Sequence, residues 1–126
     1  MLIDTDVIIW HMRGNPRATK ALDRLQDPAI SSVTYMELVQ GMRDKRELKI
    51  LREILGGRGI EILPINENIS HKAMFFVEQH FHSHALRLAD ALIGATAVVH
   101  AQPLLTANIK HYSVIKDITL ERFRPE

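Results

Sequence analysis

The sequence predicts an α/β fold, with a parallel sheet of four or five short strands and helices on both faces. Three observations carry this expectation. Short apolar runs alternate along the chain with longer stretches of helical periodicity, the order that builds parallel sheets. Helix starts and stops stand between them, at Gly14-Asn15-Pro16, Asp27-Pro28, Gly56-Gly57 and Asn66. The length of 126 residues suits one domain, spanning residues 1–126, with one modest core.

The elements follow in order. Met1 to Ile3 reads as a buried strand, with Asp4 at its C-terminal end and Val7 to Met12 as the first turns of a helix. Pro16 opens a second helix, with Ala18, Leu22 and Leu25 at helical spacing. Ala29 to Val33 is a second strand and Thr34 to Met42 a helix. Asp44 to Leu55 is a charged amphipathic helix. Ile60 to Ile65 is a third strand, ended by Pro64. Asn66 caps a long helix whose apolar stripe is Ile69, Ala73, Phe76 and Val77. His80-Phe81-His82-Ser83-His84 is a turn, and Leu88 to His100 a helix rich in small residues. Pro103 to Thr106 is a fourth strand and Ile118 to Phe123 a fifth.

Composition narrows the function. Hydrophobic content of 46% and charged content of 25% are those of an ordinary globular protein. The net charge of +1 argues against a uniformly basic nucleic-acid wrapper but leaves room for a local basic patch. With no cysteine there is no disulfide, thiol nucleophile or thiolate zinc site, which fits a cytoplasmic setting. The first residues lack the pattern of a signal peptide, and the apolar run Ala91 to Val99 is too short to span a bilayer, so no membrane association is expected.

Chemistry is suggested by carboxylates that the topology can bring together. Asp4 ends the first strand, and ligands of open α/β sheets bind outside the carboxyl ends of strands. The competing reading is a turn beside a helix capped by Thr5 or Asp6. Glu37 lies in the first turns after the second strand; Thr34 and Glu37 equally have the spacing of a capping box. Asp90 shares its side of a largely apolar helix with Gly94 and Ala97, away from a stripe of Leu88, Leu92, Ala95 and Val99. A buried aspartate is costly unless paired or metal-bound; the alternative is a first-turn aspartate favoured by the helix dipole. Thr106 and Asn108 follow the fourth strand as turn residues or as polar support. Mg²⁺ and Mn²⁺ prefer oxygen ligands, and Mg²⁺ takes few carboxylates. Asp4 and Asp90 can hold such an ion while Glu37 orients or deprotonates a water that attacks a phosphodiester.

Four stretches carry a family resemblance: Leu2-Ile3-Asp4-Thr5-Asp6-Val7-Ile8, Val33-Thr34-Tyr35-Met36-Glu37-Leu38, Leu88-Ala89-Asp90-Ala91-Leu92-Ile93-Gly94-Ala95-Thr96-Ala97 and Leu105-Thr106-Ala107-Asn108. Together the chain resembles the PIN-domain nucleases, and among them the VapC-type toxins of toxin–antitoxin pairs. The resemblance implies a three-layer α/β/α sandwich and a Mg²⁺- or Mn²⁺-dependent endoribonuclease acting on RNA. It also implies a homodimer, silenced by a cognate antitoxin. It assigns Asp4, Glu37 and Asp90 to the acidic triad, with Thr106 and Asn108 as its supporting polar pair; Thr5, next to Asp4, is a further supporting candidate. Many members carry a further acid shortly after that asparagine. Here His111-Tyr112 stands in its place, which leaves open whether the site takes one ion or two. His84 stands where a glycine is common.

Other features have two readings each. Arg43, Arg46 and Lys49 belong to a locally positive segment that is either a solvated helix face or a contact for RNA or antitoxin. His80, His82 and His84 alternate, as solvated turn residues or transition-metal ligands. Trp10, Met36, Met42, Met74 and Phe81 exceed the needs of one small core and point to self-association. Two rival functions are a non-catalytic RNA- or protein-binding module and a haloacid-dehalogenase-like phosphatase. The second rests on Asp4-Thr5-Asp6 but lacks the usual glycine, Val7 standing there.

Overall fold

The computed structural model describes residues 1–83 and 86–126. Its five strands are β1 (Leu2–Ile3), β2 (Ala29–Ser31), β3 (Glu61–Leu63), β4 (Leu104–Thr106) and β5 (Leu120–Arg122). All pairings are parallel, in the order β3-β2-β1-β4-β5. The helices are α1 (Thr5–Met12), α2 (Pro16–Asp23), α3 (Ser32–Gln40), α4 (Lys45–Gly57), α5 (Glu67–His80), α6 (Leu88–Val99) and the short α7 (Ile109–Tyr112).

Successive strand residues point to opposite faces, and the two faces build two apolar clusters. Leu2, Ala29 and Leu104 join residues of α5, α6 and α7 in one. Ile3, Ile30 and Leu105 join residues of α1, α2 and α4 in the other. Both faces are thus covered, which is why the apolar runs show no polar alternation. From β1 the chain winds outward through β2 to β3, then returns to β4 on β1's other side. The strand order therefore switches between β1 and β4, where open α/β sheets form their crevice.

Several local expectations shift. The second strand stops at Ser31 rather than Val33, because Ser31 caps α3 and accepts a hydrogen bond from Val33 N–H at 3.0 Å. Thr34 is then buried inside the helix, and the expected Thr34–Glu37 capping box does not form. The face of α6 also differs. Gly94 and Ala97 are buried, whereas Leu88 is 71% exposed, so the Asp90 side of the helix faces the protein. Small residues allow this close approach: a Cβ on Gly94 would lie 2.5 Å from Ile115 Cδ1. Val77, expected in the stripe of α5, is exposed, and α7 was not expected. Trp10 and Met42 are half-buried against the core, while Met36, Met74 and Phe81 are more than half exposed. His82 is exposed with its ring edge-on to Phe81, and His84 lies outside the described residues. Among the described residues no helix is long and apolar enough to cross a membrane.

Candidate active site

Asp4 is the hub of the crevice. It follows β1, caps α1 and is only 4% exposed. Its Oδ1 accepts from Thr5 N–H at 2.8 Å and from the Tyr112 hydroxyl at 3.0 Å. Its Oδ2 accepts from the Thr106 hydroxyl at 2.7 Å. The cap is Asp4 itself, not Thr5 or Asp6. Burial pushes this carboxyl up from an ordinary 3.8 to about 7, and the Asp6 charge adds to the push; the hydrogen bonds from Thr106, Thr5 and Tyr112 act the other way.

The other groups are reached through hydroxyls. Thr5 Oγ1 donates to Glu37 Oε1 at 2.8 Å and lies 3.0 Å from Thr34 Oγ1. One threonine thus links the exposed Glu37 on α3 to the buried Asp4 at the start of α1. Thr106, fully buried at the end of β4, accepts from Asn108 N–H at 2.9 Å and donates its hydroxyl hydrogen bond to Asp4. Asn108 supports the site through its backbone; its side chain makes no capping hydrogen bond.

Asp90 stands in the first turn of α6, largely buried, and accepts from Arg87 N–H at 3.2 Å. His111 Nδ1 lies 3.5 Å from its Oδ2. Asp90 thus takes the dipole-favoured first-turn position, and its charge also acts on the Tyr112 hydroxyl. The Tyr112 hydroxyl is held protonated by burial and by the charges of Asp4, Asp90 and Asp6, in that order. It therefore remains a donor to Asp4 at any working pH.

Two participants were not expected. Asp6 accepts from Ala107 N–H at 3.0 Å, while its Oδ1 is buried without a hydrogen-bond partner. Burial also raises its pKa. Tyr112 reads in the sequence as one aromatic in a polar run, and nothing there announces a contact with Asp4. For Asp6 a signal existed: a carboxylate two residues after Asp4, in the first turn of a largely apolar helix.

This donor set suits a hard cation. The donors are all oxygens, two of the carboxyls are pushed toward neutrality by burial, and one buried carboxyl oxygen is orphaned. Among the described residues no three His, Asp or Glu side chains gather closely enough for one ion to touch them all.

The basic segment divides. Arg43 and Arg46 line a groove of about 750 Å³ between α1, α3 and α4 that includes Glu37. Arg43 is 90% exposed and pairs with Glu47 at 3.4 Å. Lys49 is exposed but does not line that groove.

The family model of the PIN domain matches residues 1–116. Ribonuclease VapC10 of Mycobacterium tuberculosis is 34% identical over 122 residues, covering 94% of this chain and 90% of that protein. Ribonuclease VapC19 of the same organism is 30% identical over 122 residues, covering 93% and 95%. Among solved structures, a toxin-antitoxin complex from Klebsiella pneumoniae superposes with a TM-score of 0.79 at 28% identity, covering 99% of this chain and 97% of that one. With residues 1–116 matched and a relative 34% identical along almost its whole length, this chain belongs to the PIN-domain family.

Proposed function

We propose that this chain is a divalent-metal-dependent endoribonuclease, a single PIN-like domain that hydrolyses phosphodiester bonds of RNA in the cytoplasm as the toxin of a toxin–antitoxin pair. The observation that carries this reading is the hydrogen-bonded row Glu37–Thr5–Asp4–Thr106 at the sheet's switch point, joined by two hydroxyls and the Thr5 N–H, with Asp90 on α6. The names of the relatives, Ribonuclease VapC10 and VapC19, agree with it. Partners follow from the same reading: RNA as substrate, a cognate antitoxin, and a second copy of the chain. Exposed Met36, Met74 and Phe81 support the homodimer.

Asp4 and Asp90 would hold Mg²⁺ or Mn²⁺. When bound, the cation supplies charge neutralisation at the phosphate and acidifies a water. Asp4 must lose its proton to serve, and the donors Thr106, Thr5 and Tyr112 favour the ionised form once the opposing charge is near. Glu37, exposed to solvent and oriented by Thr5, takes the proton of the attacking water. That water's oxygen bonds to phosphorus as the bond to the leaving oxygen breaks. Arg43 and Arg46, close to Glu37, contact RNA or antitoxin, and Lys49 lies further along the same helix.

The test is cleavage of RNA by purified protein in Mg²⁺, in Mn²⁺ and in EDTA, alongside Asp90→Asn. Activity restricted to the metal-containing samples and lost in the variant supports the reading. Full activity in EDTA or in Asp90→Asn refutes it. Sequencing RNA ends after induced expression would then name the substrate.

A further inference from the structure

We propose that the cleft between α2 and β5 is a docking track for the RNA backbone, leading single-stranded substrate to the acidic crevice. The inference rests on the ribonuclease reading and adds the surface that would hold the strand.

The cleft, of about 280 Å³, is lined by Arg17 and Lys20 of α2, by Arg24 at its C-cap, and by Arg122 and Arg124 at the C-terminal edge of the sheet, against one acid, Glu121. All five cations are exposed, and among the described residues none forms an ion pair. Spacings of three and four residues put the α2 cations on one helix face, spread over about 10 Å. Like charges so spaced repel. The chain as a whole carries only +1, so this concentration is local. Four of the five are arginines, whose planar forks match phosphate bidentately.

Continuity with the crevice gives the track its direction. Arg122 also lines the neighbouring depression of about 260 Å³ with Asn108, Lys110 and His111. Its partner across the sheet is Thr106, which donates to Asp4. His111 lies against Asp90. A strand laid along α2 would thus cross β5 and arrive at the carboxylates. An acidic protein segment is the less suitable occupant, because the apolar residues of the cleft, Ala21, Leu25, Leu105 and Phe123, form a floor packed into the core rather than the projecting anchors that hold a peptide. Those anchors lie in the α1/α3/α4 groove instead, at Ile9, Met12, Leu38, Met42 and Ile50.

The experiment measures binding of a fluorescent unstructured RNA in EDTA across a salt series. It compares wild type, Arg17→Gln/Lys20→Gln/Arg24→Gln, Arg122→Gln/Arg124→Gln, and Arg43→Gln/Arg46→Gln/Lys49→Gln, each checked by melting. Each lost phosphate contact should reduce the slope of log K against log salt by about 0.7, so the α2 triple variant should lose about 2 and the β5 double about 1.4. In Mg²⁺ both should raise KM while kcat at saturation stays near wild type. Slopes and KM equal to wild type in both variants overturn the proposal while wild-type cleavage leaves the ribonuclease reading standing. Unchanged RNA binding with lost binding of a polyglutamate peptide also overturns it, reassigning the cleft to an acidic protein. A wild type that neither binds nor cleaves RNA sinks the ribonuclease reading itself. Because the two variants sit on different elements, a folding defect in one leaves the other to decide.

Discussion

Replacing Asp4 by asparagine isolates the electrostatic cost of the crevice. Burial holds the folded carboxyl at about 7 against an ordinary 3.8. Between those values the folded protein keeps a proton that the unfolded chain has released. Stability falls with rising pH wherever the native state binds more protons. The contribution is therefore fully present below about pH 4, is lost as pH rises through 7, and is gone above about pH 8. Each pH unit well inside the window is worth about 1.4 kcal/mol, and less near the folded pKa, so the rise from pH 5 to pH 8 costs the metal-free wild type about 3 kcal/mol.

Asparagine keeps the volume and one acceptor oxygen but cannot ionise. Its imperfect match to the Thr106 and Tyr112 donors costs about 1–3 kcal/mol, and that loss does not vary with pH. Comparing the pH dependence of the two proteins cancels it. The raised carboxyl of Asp6 and the lowered imidazole of His11 are present in both. Urea unfolding in EDTA at pH 5, 6, 7 and 8 is the assay. The wild-type curve should descend about 3 kcal/mol further than that of Asp4→Asn across this range. Parallel curves, differing by a constant, would refute the view that Asp4 is forced toward neutrality by its burial.

Three other outcomes follow from the same geometry. Glu37→Gln should reduce cleavage by about 10²–10⁴-fold while shifting stability by less than about 0.5 kcal/mol, because the side chain is exposed; a stable variant with full turnover would remove Glu37 from the chemistry. Tyr112→Phe takes away a donor that lowers the Asp4 pKa, so the acid limb of the activity profile should move to higher pH, and stability should fall by about 1–3 kcal/mol; an unmoved limb would make Tyr112 a packing residue only. For assembly, Met74→Lys with Leu88→Lys should convert a dimer to monomer by light scattering, since both side chains line one exposed apolar groove between α5 and α6; wild-type monomer at tens of micromolar would count against the homodimer.

Strand ends were the legible part of the sequence. The first and fourth apolar runs stop at a polar residue, so Asp4 and Thr106 mark the C-terminal edge of the sheet, and helix signals such as Asn15-Pro16 and Asn66 act locally; the end of β2 at Ser31 was not legible in this way. The Thr34–Glu37 capping box misled because Ser31, three residues earlier, offers the same chemistry. Which one caps is decided by where β2 stops pairing with β3. The buried face of α6 was illegible for another reason. Leu88 and Leu92 are the larger side chains, yet the helix seats its small residues inward because α7 and the segment after it must approach Gly94. That choice is tertiary. The contact of Tyr112 with Asp4, separated by 108 positions, follows from the same packing and leaves no local trace.

The environments of the three carboxylates differ in a way that suits different tasks. Asp4 is enclosed and driven toward its neutral form by burial. Glu37 faces water and is oriented by a single hydroxyl. Asp90 lies between, largely buried but hydrogen-bonded to a backbone N–H at a helix start. Where environments separate the behaviour of neighbouring acids, they also separate the roles the acids can fill. A carboxyl that gains from an opposing charge is suited to a cation, and a solvated one to taking protons from water. Thr5 binds the two extremes together, its N–H on Asp4 and its hydroxyl on Glu37. Any shift of α1 relative to α3 would therefore disturb cation and water at once, which makes the first turn of α1 the most sensitive point of the proposed mechanism.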